Sequence, residues 1–153
     1  MQSLPGRVWL HVPGIARFLI ADGNRITIDP EAGADAQSIR LYVLGSCIGA
    51  VMHQRGQLIL HGSALRFGDR SVVFAGRSGA GKSTLTAALH LRGHDLLADD
   101  LSVLDLHGRV QPGIPQVKLW ADAAGMLGLD TGSMTRIRMQ VDKYALRVEE
   151  RFC

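Results

Sequence analysis

Gly76-Arg77-Ser78-Gly79-Ala80-Gly81-Lys82-Ser83 is the stretch whose residue types and spacing point most directly to chemistry. It reads G-x-x-x-x-G-K-S, a loop that can cradle phosphate with its backbone amides. Gly76, Gly79 and Gly81 permit positive φ and a close approach of backbone to an anion. Successive N–H groups, reinforced by the start of a helix, would face the phosphates. Lys82 would bring a point charge to the β- and γ-phosphates, and the Ser83 hydroxyl would ligate Mg²⁺. The expected cradle runs from Gly76 through Arg77, Ser78, Gly79, Ala80, Gly81, Lys82 and Ser83 to Thr84, with ATP and Mg²⁺ as its cofactors.

Such a loop needs a carboxylate on the metal, placed at the tip of a neighbouring parallel strand. Asp99-Asp100 fit that need, because Leu96 to Ala98 before them is a short apolar strand. The sixteen-residue step from Ser83 to Asp99 leaves room for one helix and one strand, the usual crossover. Ligands in such sheets gather at the carboxyl ends of strands. Two adjacent acids allow one to serve the metal and the other an acceptor hydroxyl. The plainer alternative is a pair of turn or capping aspartates. His61 lies one hairpin strand from Gly76, near enough to reach a phosphate, although a lone histidine is commonly a hydrogen-bonded structural residue. His90 and His94 are four apart, but Gly93 should end the helix between them and no third ligand follows.

The flanks of the loop supply the elements that must hold it. Ser71 to Ala75 is an apolar, β-prone run, and Thr84 to Leu91 is helix-prone and stops at Gly93. Strand, glycine loop and helix is the order the motif requires. Gln57 to His61 and Ala64 to Phe67 read as strand before the Gly68-Asp69 turn. Further upstream, Val8–Val12, Ala16–Ile20 and Arg25–Asp29 read as three strands of a small antiparallel sheet, with Asp22-Gly23 as a hairpin turn. Asp35 is placed to cap a helix from about Ala36 to Gln54. On it Ile39, Tyr42, Val43, Cys47, Ala50 and Val51 recur at helical spacing. Downstream, Leu101 to Leu106 and Gln116 to Trp120 read as strands, the first with Asp105 to Gly108 as its turn, and Asp122 as the cap of a short helix from Ala123 to Leu127. Arg136, Arg138, Lys143 and Arg147 lie among apolar residues. They read as a solvated strand face from which one cation could neutralise a transferred phosphoryl group.

With 153 residues the chain is sized for one domain, and 46% hydrophobic with 20% charged residues makes it globular. The expected division is residues 1–56, N-terminal strands and packing helix, and 57–153, a nucleotide-binding core. The net charge of +3 and the 5% aromatic content leave no basic stripe with stacking rings, which argues against nucleic-acid binding. The longest apolar run, Leu41 to Met52, contains Gly and Ser and is too short to cross a bilayer. Cys47 and Cys153 follow no metal spacing. Together with the lack of a targeting pattern at the N-terminus, they lead to the expectation of a reducing, cytoplasmic setting without membrane contact.

His61-Gly62-Ser63, the loop Gly76–Ser83, Arg92-Gly93-His94 and Ala98-Asp99-Asp100 together resemble the catalytic domain of HPr kinase/phosphorylase. The closer likeness is to short HPr-kinase-like serine kinases, some of which sit beside lasso-peptide genes and phosphorylate the precursor peptide. It is specific over residues 57–106 and looser over 8–56 and 112–147. The resemblance implies an α/β fold, a P-loop kinase core of the HPr kinase/phosphoenolpyruvate carboxykinase type with an N-terminal antiparallel β extension. It also implies phosphoryl transfer from ATP to a serine hydroxyl of a peptide or small protein, by a chain that forms a homo-oligomer. Under it Lys82 and Ser83 match the ATP and Mg²⁺ residues, and His61 the active-site histidine near the transferred phosphate. Asp99 and Asp100 match the acidic pair, Asp100 for contact with the acceptor and Asp99 for metal or base. The family's later signature, roughly L-E-x-R-G, does not occur, since Val148-Glu149-Glu150-Arg151 differs from it. The core is therefore expected to be either a shortened member or a fragment without a C-terminal lobe. Two other functions fit the same residues: a non-catalytic ATP-binding regulatory module and a small-molecule kinase.

Overall fold

The computed structural model describes residues 2–138 and 141–153. It is a mixed α/β chain with antiparallel sheets and few helices. Contacts divide it into two compact units, Met1–Leu58 and Ile59–Cys153. Among the described residues no helix is long and apolar enough to cross a membrane.

The first unit is a meander of β1 (Gln2–Leu4), β2 (Arg7–Val12), β3 (Ala16–Ala21) and β4 (Arg25–Pro30), each strand antiparallel to the next. The β3–β4 reversal uses left-handed backbone at Asp22 (φ 57°) and Gly23 (φ 66°), the turn expected from that dipeptide. Period-2 alternation sends Phe18 and Ile20 to one face, where Val8, Leu10, Val12 and Ile26 join them. The helix expected over 36–54 covers that face, but not as one α-helix. It runs as α1 (Ala36–Tyr42), a π-helical turn (Val43–Cys47) and α2 (Ile48–Gln54). Asp35 caps it, its carboxylate accepting the Ser38 N–H at 2.7 Å. Ile39, Val43, Cys47 and Val51 step by four, which drifts around a 3.6-residue helix. The wider turn corrects the drift and keeps Cys47 and Val51 in the core.

The second unit begins in β5 (Leu58–Phe67), which turns through Gly68-Asp69 into β6 (Arg70–Ala75). After the glycine loop come α3 (Lys82–Leu91), β7 (Asp95–Ala98) and β8 (Leu101–Leu104). Then follow β9 (Gln116–Trp120), α4 (Ala121–Met126), a short 3₁₀ turn, β10 (Thr135–Arg138) and β11 (Val141–Arg147). One sheet has the order β6-β5-β7, with β8 also pairing β5, and the other is β10-β11-β9. Leu65 and Leu96 from the first sheet, Val117 and Leu119 from the second, and Ala87, Ala123 and Ala124 from the helices form one core. Each of these is less than a tenth exposed, and such burial is the main stabilising term of the unit.

Three local expectations need correction. The aspartate-bearing strand is not the hydrogen-bonded parallel neighbour of the loop's strand. β5 lies between β6 and β7 and is antiparallel to both. The second helix starts two residues earlier than expected, with Trp120 in the capping position. Asp122 instead stands in its first turn, accepting the Ala123 N–H at 2.7 Å, where an acid complements the helix dipole. β8 stops at Leu104, because the Asp105 carboxylate turns back to the N–H groups of His107 and Arg109.

Candidate functional site

β6 and β7 run in the same direction because each is antiparallel to β5. Ala75, the last residue of β6, pairs with Gly62, and Ala98, the last of β7, pairs with Ala64. Gly76 and Asp99 therefore leave the sheet at the same edge, on either side of His61-Gly62-Ser63. Gly62 has to be glycine here, because a Cβ would stand 2.6 Å from the Phe74 carbonyl oxygen of β6.

In the loop, Gly79 (φ 81°) and Gly81 (φ 83°) take the left-handed conformation that glycine permits. Gly76 does not, contrary to the expectation from its place in the motif. The Lys82 ammonium lies across the loop, donating to the carbonyls of Gly76 at 2.9 Å and Arg77 at 3.0 Å. Ala80 donates its N–H to Arg77 O at 3.2 Å, so that amide closes the loop on itself. Gly81 caps α3 through its carbonyl, which accepts the Leu85 N–H at 2.8 Å.

The expected carboxylates meet the loop. Asp99 Oδ1 accepts the hydroxyls of Ser83, at 2.9 Å, and of buried Ser63, while Oδ2 accepts the Lys118 N–H at 2.8 Å. Asp100 points elsewhere. Its backbone is left-handed (φ 71°), an uncommon conformation for a side-chain-bearing residue and one that clusters at functional sites. β5 holds it there, since the Asp100 carbonyl accepts the Gly62 N–H at 3.3 Å and His61 Nδ1–H at 3.0 Å. A carbonyl can only accept, so Nδ1 carries a proton and donates it. The Asp100 carboxylate pairs with the Lys118 ammonium at 2.5 Å. Burial works against its ionisation. The Lys118 charge and hydrogen bond, with Lys143 and His61 behind them, outweigh that and hold the carboxyl below its ordinary value.

A cleft of about 630 Å³ opens over this arrangement. Ser78, Gly79, Gly81, Lys82, Ser83 and Thr84 line one side, and His61, Asp100 and Lys118 another. Gly76, Arg77 and Ala80 shape the loop without lining the cleft, and Asp99, also outside the lining, touches it through Ser83. Leu85 and Ala88 of α3 line the cleft too, with Trp120, Ala123 and Met126, and Asp122 adds a carboxylate among them. Of the four basic residues noted near the C-terminus, only Lys143 reaches the cleft. It stands opposite Trp120 across the β9–β11 pair, its ammonium 5.8 Å from the indole ring. The residue that sequence reasoning missed is Lys118. Its signal was there, a lone lysine alternating with core residues in Gln116-Val117-Lys118-Leu119-Trp120.

Ser83 Oγ and Asp99 are the groups that could hold Mg²⁺. Among the described residues no three His, Cys, Asp or Glu side chains gather as a metal site. One carboxylate beside one hydroxyl still suits Mg²⁺, which is commonly held by one or two carboxylates plus phosphate oxygens and water. His90 Nδ1 donates to the His94 carbonyl at 2.9 Å, and the His94 ring packs on Phe67. Compared with known proteins, the chain matches no family model, no curated protein and no solved structure.

Proposed function

We propose that the chain is an ATP- and Mg²⁺-dependent kinase that transfers a phosphoryl group to a serine hydroxyl of a peptide or small protein. Its second unit would be a P-loop kinase core of the HPr kinase/phosphoenolpyruvate carboxykinase type. The observation that carries this is the convergence at one cleft of the loop lysine, a loop hydroxyl bonded at 2.9 Å to the carboxylate behind it, and a second, separately held carboxylate. A phosphate cradle alone would need only the first of these.

The geometry supports the following roles. Lys82 trades its loop carbonyls for the phosphates. Ser83 and Asp99 would hold Mg²⁺, which would supply charge neutralisation on the phosphates. Asp100, kept ionised at the cleft wall, accepts the hydrogen bond of the acceptor hydroxyl and orients it. His61, on the same side of the cleft, would stand near the transferred phosphate. Phosphoryl transfer of this kind is mostly positioning and electrostatics, so a carboxylate of low basicity suffices. A homo-oligomeric state belongs to the same proposal and rests on the family resemblance, while cytoplasmic residence rests on two cysteines that follow no disulfide or metal pattern.

The test is intact-mass analysis of serine-containing peptides incubated with the chain, ATP and Mg²⁺, beside the Lys82→Ala variant. Wild type should add one phosphoryl group. Lys82→Ala should lose about 10²–10³ in rate, the scale of a preorganised electrostatic contact. A folded Lys82→Ala protein within about threefold of wild type would sink the assignment. Nucleotide binding without transfer to any acceptor would point to a regulatory module, and transfer to free serine alone to a small-molecule kinase.

A further inference from the structure

We propose that Lys118 is the positioning residue that holds the two adjacent aspartates in separate roles, its main-chain N–H on Asp99 and its ammonium on Asp100. The roles themselves rest on the kinase reading; the clamp rests on geometry. Neighbouring carboxylates repel, and the chain direction alone gives no reason for one to face the loop and the other the cleft. Both of their Oδ2 atoms end on the same residue, at 2.8 Å from its N and 2.5 Å from its Nζ.

Lys118 is well placed to impose this. Val117 and Leu119 on either side of it are buried in the core, at 0% and 1% exposure, so β9 cannot slide. Ala145 of β11 lies opposite it in register. Its side chain is 12% exposed, which leaves the ammonium little freedom to choose another partner. Asp99 is left with all its described hydrogen bonds turned to Ser63, Ser83 and β9. Asp100 keeps Oδ1 without a hydrogen bond among the described residues, on the wall of the cleft, for the acceptor hydroxyl.

The two halves of the clamp respond differently to substitution. The N–H to Asp99 survives any side-chain change, so Lys118→Met should leave the Ser83–Asp99 arrangement intact. The ammonium is lost, and a half-buried carboxylate stands unpaired. Full-length Lys118→Met should therefore bind Mg²⁺–ATP within about threefold of wild type by calorimetry, while kcat for the peptide falls about 30-fold or more. KM for the peptide should change less than kcat. Lys118→Arg, which keeps a cation, should regain part of the rate. The melting temperature of Lys118→Met should drop, and Lys118→Met/Asp100→Asn should recover it, because the stranded charge is gone.

A loss of Mg²⁺–ATP affinity of about tenfold or more in Lys118→Met would make Lys118 a phosphate ligand and overturn the proposal. So would kcat within about threefold of wild type, or a double variant no more stable than Lys118→Met. If wild type transfers nothing to any acceptor, the kinase reading fails. The stability pair and the nucleotide affinities then still decide the clamp.

Discussion

Asp99→Asn separates the two jobs of one carboxylate. Asp99 accepts from the Ser63 and Ser83 hydroxyls on Oδ1 and from the Lys118 N–H on Oδ2. An amide can keep all three. Its oxygen takes the Lys118 N–H, and its NH₂ donates to the two hydroxyl oxygens, which rotate from donating to accepting. Hydrogen bonds to a charged group contribute about 1.5–3 kcal/mol and neutral ones about 0.5–1.5, so three bonds weaken by roughly 1 kcal/mol each. Relief from holding a charge in a half-buried place offsets part of this, which leaves a net loss of roughly 1–3 kcal/mol. At this chain length that is a fall of roughly 2–12 °C in melting temperature. Asp99→Ala is worse. It strands the Ser63 hydroxyl, which is 1% exposed, and the Lys118 N–H, at about 1–3 kcal/mol each. The charge that would hold Mg²⁺ is lost in both, so phosphoryl transfer should fall by about 10²–10³ in each. Thermal unfolding and the Mg²⁺ dependence of transfer are the assays. The reasoning fails if Asp99→Asn transfers within about threefold of wild type, or if it is less stable than Asp99→Ala.

Gly62→Ala should be disruptive despite its size, because the new methyl meets the Phe74 carbonyl of the paired strand at 2.6 Å. Overpacking costs about 1–3 kcal/mol, and unchanged melting would show that β6 gives way freely. The two thiols should react differently, since Cys47 is fully buried and Cys153 only partly. Burial pushes the Cys47 thiol up to about 11, so one thiol should titrate quickly with a disulfide reagent near pH 8 and the other only as the first unit opens. A raised thiol means the unfolded chain gives up its proton first, so the stability that Cys47 contributes is present below 9.0 and is lost as pH rises toward about 11. Cys47→Ala should flatten that alkaline limb in denaturant titrations, and an unchanged limb would assign it to other groups.

The features legible in the sequence are those set by residues close in the chain. The glycine loop, the Asp22-Gly23 and Gly68-Asp69 turns, the Asp35 cap and the alternating strands each depend on a handful of neighbours. Strand order was not legible in the same way. β7 could pair with β6 or with β5, and that choice depends on Leu65 and Leu96 meeting in a core built from five elements. The wide turn at Val43–Cys47 escaped notice because apolar steps of four look helical until the drift is followed over several turns. Lys118 escaped because a lysine in a strand ordinarily reads as solvent-facing, and only the fold brings Asp99 and Asp100 to it. Met139 and Gln140, within the basic C-terminal stretch, lie outside the described residues.

The strand between β6 and β7 changes what the site must be made of. Directly paired strands lie about 4.8 Å apart, so one intervening strand sets their ends about twice that distance from each other. A loop lysine on one side and a carboxylate on the other would not meet across such a gap unaided. Two side chains close it here. Ser83 reaches over from the first turn of α3, and Ser63 rises from β5 in the middle, both to the same Asp99 oxygen. Gly62 lets β6 come close enough to β5 for this to happen, and the Gly62 N–H also holds the carbonyl of Asp100. His61, Gly62 and Ser63 are thus the middle of the site, although they carry none of the loop's signature. Their conversion to bulkier residues would part the loop from its carboxylates while leaving every residue of G-x-x-x-x-G-K-S in place.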